Sequence, residues 1–387
     1  MNFRFHIPTT VESGAGISKS CGSYLKEVGA QRIFVVTDKG IRQAGLLDTI
    51  TASLQEAQLE FTIFDKTEAN PSAGSIMSGL EQCKAYAADH VLAVGGGSSI
   101  DTAKGIAVMA NNEGNILDYE GVGKLPRAGL PLMVIPTTAG TGSEVTASTI
   151  VTNSETQFKA AVISPYIFPN WALLDAELTI KLPQSITAAT GMDALTHAIE
   201  SYTSKSATPM SQAMALHAIR MIGRSLPRAY FVGSDLAARE AMLVASMIAG
   251  AAFAQSRLGN VHAISHTLGG VFNIPHGIAN ATLLPFVMQF NRPACEERMR
   301  DIAEALGRDV RGVSLEEASR AAVNAVIALN QKLGIPDNIQ ALGVDLNVLP
   351  KLVEDSMRSG NVLINPRLTA PQDIEEIILN AYNGIVE

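Results

Sequence analysis

Apolar residues recur along this chain with two different periods. Up to about residue 180, short β-branched runs alternate with amphipathic stretches: RIFVVTD at 32–38, FTIFD at 61–65, HVLAVGGG at 90–97 and LPLMVIPTT at 130–138 read as strands. Between them, GLLDTITASLQEAQ and AGSIMSGLEQCKAYAA carry apolar positions at helical spacing. Strands alternating with helices predict a parallel sheet covered by helices. AAVISP and ALLDAEL suggest further short strands before the pattern stops. After KLPQS, where Pro183 disfavours a helical residue before it, long Ala/Met/Leu-rich stretches keep 3.6-residue spacing almost to the end. The pattern therefore predicts an α/β domain over 1–180 and an all-helical domain over 181–387, with the boundary between Leu178 and Ser185. Segments 110–130 and 356–372 are expected to be irregular surface loops.

Composition narrows the classes. A chain of 387 residues is long for one domain and suits two. A net charge of -8 without any Lys/Arg run argues against nucleic acid as a partner. Although 47% of residues are apolar, stretches such as SMIAGAAFA are shorter than the ~20 residues that span a bilayer, so no membrane association is expected. The start, MNFRFHIPTT, lacks a basic region followed by an apolar one. Cys21, Cys83 and Cys295 are odd in number and widely spaced, which predicts free thiols and a reducing, cytoplasmic setting. FRFHIPTTVESG offers an edge strand that would pair copies into a homo-oligomer, a dimer or higher; a hairpin on its own domain fits equally well.

Two polar glycine loops follow strands. GGGSSID comes directly after HVLAV and opens a helix, an order that sets a diphosphate against free backbone amides and the positive end of the helix dipole. Gly95, Gly96 and Gly97 allow close approach and Ser98 adds a hydroxyl, although the same glycines also make a plain tight turn. VIPTTAGTGSEVT likewise ends a strand and gathers the hydroxyls of Thr137, Thr138, Thr141 and Ser143. In an open parallel sheet both loops collect at the carboxyl edge, where nucleotides bind. Asp38 ends RIFVVTD, where its carboxylate suits ribose hydroxyls and disfavours a 2′-phosphate, hence NAD over NADP; a helix N-cap is the plainer role.

Metal-ligand chemistry is concentrated in two motifs. Asp193 and His197 lie four apart in GMDALTHAIE, as do His262 and His266 in NVHAISHTLGGVFNIPHG, which also holds His276. Each i, i+4 pair shares a helix face. Four of only seven histidines fall in these motifs, and a carboxylate with imidazoles suits Fe²⁺, Zn²⁺ or a similar ion. Spacing alone does not exclude any of the five donors.

Together, TDKG, GGGSSID, PTTAGTGSE, TAATGMDALTHAIE and VHAISHTLGGVFNIPHGIANATLLP closely resemble the iron-containing, or group III, alcohol dehydrogenase family, and the likeness runs on to the closing NPRLTAPQDIEEII. The resemblance implies an N-terminal dinucleotide-binding domain, a helical C-terminal domain and an active site in the cleft between them. It implies a metal-dependent oxidoreductase that interconverts a small primary or secondary alcohol and its aldehyde or ketone by hydride transfer with NAD(H). The implied ligands of Fe²⁺, with Zn²⁺ or another divalent ion as alternatives, are Asp193, His197, His262 and His276. His266 is then a catalytic proton relay outside that set. The implied dinucleotide contacts are Asp38, Asn70, Gly96, Gly97, Ser98, Asp101, Thr137, Thr138, Thr141 and Ser143, with Ile150 and Lys159 nearer the nicotinamide. Phe253 and Gln255 are implied at the substrate pocket.

The sequence departs from common family wording in three places. Ser99-Ile100 stands where Pro and a polar residue often occur, Thr267 stands where Pro or Gln often follows the second histidine, and AFAQSRLG in place of the frequent AFNNASLG brings Gln255 and Arg257 toward the substrate region. Two competing readings are a metal- and NAD-dependent lyase of the dehydroquinate synthase type and a non-catalytic NAD-binding protein. The lyase handles a phosphorylated, acidic substrate and needs a Lys/Arg-rich pocket, whereas the metal-bearing segments here are mostly apolar.

Overall fold

Three of the β-branched runs become strands buried on both faces, and FTIFD becomes a half-buried edge strand. The computed structural model of the protein describes residues 2–156 and 158–386. Its main sheet joins β1 (Thr10–Ser13), β2 (Arg32–Val36), β3 (Glu60–Phe64), β4 (His90–Gly95), β6 (Leu132–Pro136) and β9 (Trp171–Leu174), all parallel, in the order β1-β9-β6-β4-β2-β3. Alternation along each strand feeds two cores. Ile33, Val35, Leu92 and Val94 pack with α1 (Cys21–Glu27) and α3 (Asp48–Glu56), while Phe34, Val36, Val91 and Ala93 pack with α4 (Ala73–Tyr86) and α5 (Gly97–Met109). A short helix, α2 (Lys39–Gln43), follows β2. The chain leaves β2 toward β3 on one side and returns to β4 on the other, so the strand order reverses between β2 and β4.

A second sheet was not apparent in the sequence pattern. β5 (Gly121–Val122), β7 (Ser148–Asn153) and β8 (Phe158–Ile163) form it, with β7 and β8 antiparallel. AAVISP, expected to extend the parallel sheet, lies in β8 instead. Pairing is a long-range choice, and these half-buried strands carry no local mark of their partner. At the N-terminus, β1 runs parallel to β9 as an edge strand, which rules out a local hairpin.

The rest is helical: α6 (Gln184–Thr203), α7 (Pro209–Phe231), α8 (Leu236–Ser256), α9 (Asn260–Phe272), α10 (His276–Asn291), α11 (Glu296–Ala305), α12 (Leu315–Leu333), α13 (Leu349–Met357) and α14 (Pro371–Asn383). The chain divides into two compact units, Ile7–Lys181 and one formed from Leu182 onward. The first described residues, through His6, group with the helical unit rather than with the sheet that follows them. The side-chain amide of Gln255 holds the His6 backbone with both its atoms: Oε1 accepts from the His6 N–H at 3.1 Å and Nε2 donates to the His6 carbonyl at 2.9 Å.

At 21 residues, α8 is long and apolar enough to match a bilayer span, which corrects the expectation that every apolar stretch falls short. Within the helical unit it buries Met242, Leu243, Ala245, Ala249 and Ala252, and its Arg239 donates to the Thr187 hydroxyl and the Gly233 carbonyl. Its apolarity thus serves a packed helix core.

Candidate metal centre and dinucleotide loops

In the helical unit, α6 carries Asp193 and His197 one turn apart on a buried face. His262 lies in the first turn of α9 and His276 is the first residue of α10. Asn273, in the left-handed conformation (φ 54°), turns the chain between those helices. Gly277 then lets α10 cross α6 closely, because a Cβ there would lie 2.4 Å from the Ala189 carbonyl oxygen, one turn before Asp193. These local choices bring three helices to one point.

One donor atom from each of Asp193, His197, His262 and His276 lies within 4.8 Å of the others. Asp193 Oδ1 is 3.8 Å from the Nε2 of each of the three histidines. Tetrahedral ligands about 2.1 Å from an ion stand roughly 3.4 Å apart, so the 3.8 Å contacts to Asp193 are near that spacing and the widest separation, up to 4.8 Å, closes by about an ångström around a first-row divalent ion. The carboxylate and two of the rings are buried, and burial holds the pKa of His262 down to about 3. A neutral imidazole is the form that binds metal.

His266 stands beside this group and outside it. Its ring stacks on His276 at 5.1 Å between centroids and meets His262 edge-on at 5.8 Å. Phe253 stacks on His197 at 4.5 Å, covering the side of that imidazole. Gln255 is engaged with the His6 backbone, and the exposed Arg257, at φ 61°, lies beside Gly360.

Sequence reading missed two neighbours. Asn280 Nδ2 donates to Asp193 Oδ1 at 2.6 Å and lies 3.1 Å from the Nε2 of both His262 and His276. Glu200 accepts from His262 Nδ1 at 2.5 Å. Helical spacing could have found both, since Asn280 follows His276 by four and Glu200 follows His197 by three.

In the α/β unit the GGGSSID loop follows β4, beside the reversal in strand order, and the TTAGTGSE loop follows the adjoining β6. Asp38 caps α2, its Oδ1 accepting from the Ile41 N–H at 3.0 Å, and its Oδ2 accepts from the Ser99 hydroxyl at 3.2 Å. The plain N-cap role is therefore real, and it leaves the carboxylate at the end of β2 beside the β4 loop. Gly96 is the N-cap of α5 and offers no side chain, which leaves the helix's first amides to other acceptors. Gly97 must lack a Cβ because one would meet Thr141 Cγ2 at 2.5 Å. Close packing of the β4 and β6 loops therefore makes the kind of backbone cradle that a diphosphate fills. In that second loop the buried Thr137 hydroxyl has no hydrogen-bond partner among the described residues.

Other residues in the cofactor set hold the loops themselves. The Ser98 hydroxyl donates to the Ala69 carbonyl at 2.6 Å, which ties the Asn70 loop to α5. Asp101 accepts from the Ser143 hydroxyl at 2.8 Å and from the Ile150 N–H at 3.0 Å. The buried Lys104 ammonium donates to Ser143 and Thr146 hydroxyls and to the Thr146 and Ser148 carbonyls. Thr138 follows Thr137 on the half-buried loop. Ile150 pairs with Ala161 and Lys159 with Thr152, so Ile150 and Lys159 share one face of the small sheet.

A parallel sheet with a glycine loop at its switch point and a second on the adjoining strand, together with a helical unit holding an Asp-His₃ group, define a dinucleotide- and metal-linked class of oxidoreductase. Residues 8–176 match the model of iron-containing alcohol dehydrogenase, and residues 187–382 match the C-terminal model of the Fe-containing alcohol dehydrogenase family. The chain is 41% identical to the NAD-dependent methanol dehydrogenase of Bacillus methanolicus over 97% of its own length and 99% of that protein. It is 36% identical to the lactaldehyde reductase of Escherichia coli (strain K12) over 98% and 99% of the two chains. A crystal structure of 1,3-propanediol oxidoreductase superposes with a TM-score of 0.96 at 40% identity, covering 99% of this chain and all of that one. The chain belongs to the iron-containing alcohol dehydrogenase family.

Proposed function

We propose that this chain reversibly interconverts a small primary or secondary alcohol and its aldehyde or ketone with NAD(H), using Fe²⁺ or a similar divalent ion held by Asp193, His197, His262 and His276. The convergence of one carboxylate and three imidazoles, all within 4.8 Å, carries this reading. When bound, the ion supplies Lewis acidity toward the substrate oxygen, and the nicotinamide gives or takes the hydride. One carboxylate and three neutral rings offset only half of a divalent charge, which keeps the site electrophilic.

Each remaining residue has a narrower task. His266, stacked on His276 without joining the donor group, moves the proton that the substrate oxygen gains or loses. Phe253 gives the substrate an apolar wall. In the unit Ile7–Lys181, the amides at Gly96, Gly97 and Ser98 hold the diphosphate, with Thr137, Thr138 and Thr141 on its other side. Asp38 and Asn70 take the adenosine half, and Ile150 and Lys159 take the nicotinamide half. Asp101 and Ser143 act by holding the loop, as their mutual hydrogen bond supports. The three free cysteines support a reducing, cytoplasmic setting, and the edge strand β1 supports a homo-oligomer.

Relatives of comparable identity are named for methanol, lactaldehyde and 1,3-propanediol, so the substrate belongs to this small-alcohol class without being copied from any one of them. The test follows NADH absorbance with short-chain, hydroxylated and acidic aldehydes after separate loading with Fe²⁺ and Zn²⁺. We expect oxidation of NADH with at least one short or hydroxylated aldehyde; inactivity across the panel with both metals refutes the dehydrogenase reading.

A further inference from the structure

Glu200 is a buried acid outside the donor group. It lies on α6, seven residues after Asp193 and three after His197, hence on the same helix face. Its two oxygens are spent on one neighbour, the start of α9. Oε1 accepts from the Val261 N–H at 2.7 Å and Oε2 from His262 Nδ1 at 2.5 Å. The N-cap of α9, Gly259, makes no side-chain cap hydrogen bond, so the first turn of that helix takes its acceptor from another helix.

The second contact sets the tautomer of His262. A carboxylate only accepts, so the ring must carry its proton on Nδ1 and present a lone pair on Nε2. Nε2 is the nitrogen that faces Asp193 Oδ1, at 3.8 Å. Hydrogen bonding from a metal-binding imidazole to a carboxylate also fixes the ring plane and raises the basicity of the other nitrogen. Helix polarity adds to this, since the amide end of α9 favours an anion at the place Glu200 occupies.

We propose that Glu200 is a positioning residue of the metal centre: one carboxylate caps α9 and locks His262 in the tautomer that offers Nε2 to the ion. The inference rests on the metal reading given above and names a part of the chain that reading does not contain. A glutamine there cannot do both tasks. With its oxygen toward His262, its NH₂ faces the Val261 N–H; turned over, it offers a proton to Nδ1 and drives the ring's own proton to Nε2.

The experiment strips the full-length protein of metal and titrates Zn²⁺ into the wild type and Glu200→Gln by calorimetry, with thermal melts of both metal-free proteins alongside. We expect the Zn²⁺ dissociation constant of Glu200→Gln to rise about 10- to 100-fold. Zn²⁺ should also raise the melting temperature of the variant less than that of the wild type. A merely structural role would lower both melts equally and leave the affinity unchanged. Equal affinity in the two proteins overturns the inference alone, whereas a wild type that takes up no Zn²⁺ overturns the metal reading and the inference together. Nitrogen-15 histidine spectra of the metal-free wild type provide a measurement that needs no variant: a His262 proton on Nδ1 is expected, and a proton on Nε2 overturns the proposal.

Discussion

Asp193 and His266 carry opposite expectations. Removing Asp193 leaves three imidazoles and no charge at a buried point, so Asp193→Ala should lose the metal. Its turnover should fall roughly a thousandfold or more, because Lewis-acid stabilisation contributes several kcal/mol. His266 lies outside the donor group, so His266→Ala should keep the metal and lose roughly a hundredfold in turnover, as befits a lost proton relay. Metal content of the two purified variants, set beside their rates, decides this; a metal-free His266→Ala protein would reverse the division of roles. Asp38 makes a second claim. Its carboxylate, fixed by Ile41 and Ser99, opposes a 2′-phosphate, so the protein should prefer NADH to NADPH, and Asp38→Ala should narrow that preference. Initial rates with both cofactors at equal concentration measure it, and an NADPH preference in the wild type removes the role. These residues could be read in the sequence because they end strands or repeat at helical spacing. Glu200 and Asn280 also stand at helical spacing from His197 and His276, but a lone buried acid or amide acquires its meaning only from what folds against it, here His262 and Asp193.

Packing of elements places the centre. The Asp193/His197 pair was visible along α6, but the arrival of α10 beside it depends on Gly277, whose importance lies in a contact across 88 residues of chain, from Ala189. Gly277→Ala forces the two helices apart, since the added methyl would meet backbone rather than a flexible side chain. Overpacking of this kind costs about 1–3 kcal/mol. The variant should therefore melt earlier and bind Zn²⁺ more weakly, because His276 opens the displaced helix. A variant with wild-type melting and affinity would mean that α10 is not held where we find it. The same limit explains the second sheet. β7 and β8 bury only alternate positions, and their pairing with each other is decided by tertiary contacts that a local pattern does not contain.

For the molecule as a whole, the change of period near residue 180 was plain in the sequence because parallel strands and packed helices bury different spacings. The grouping of the first residues with the helical unit was not, since it depends on Gln255 gripping His6 across 249 positions. Buried charge was equally invisible, and it governs how global stability responds to pH. Glu144 is 2% exposed, and burial pushes its carboxyl from 4.5 to about 7; the neighbouring buried Lys104 is pushed down to about 8 and stays charged throughout the acidic range. Between pH 4.5 and about 7 the folded chain therefore holds a proton at Glu144 that the unfolded chain has released. Stability from this group is full below the unfolded value and is lost as pH rises through the folded one. Glu144→Gln has no proton to lose. Its melting temperature relative to the wild type should thus rise from pH 5 to pH 7, with Glu200 and the metal centre common to both proteins and cancelling. Melts at matched ionic strength across that range measure the difference, and a difference that stays flat or falls with rising pH would place the Glu144 carboxyl in its ordinary ionised state.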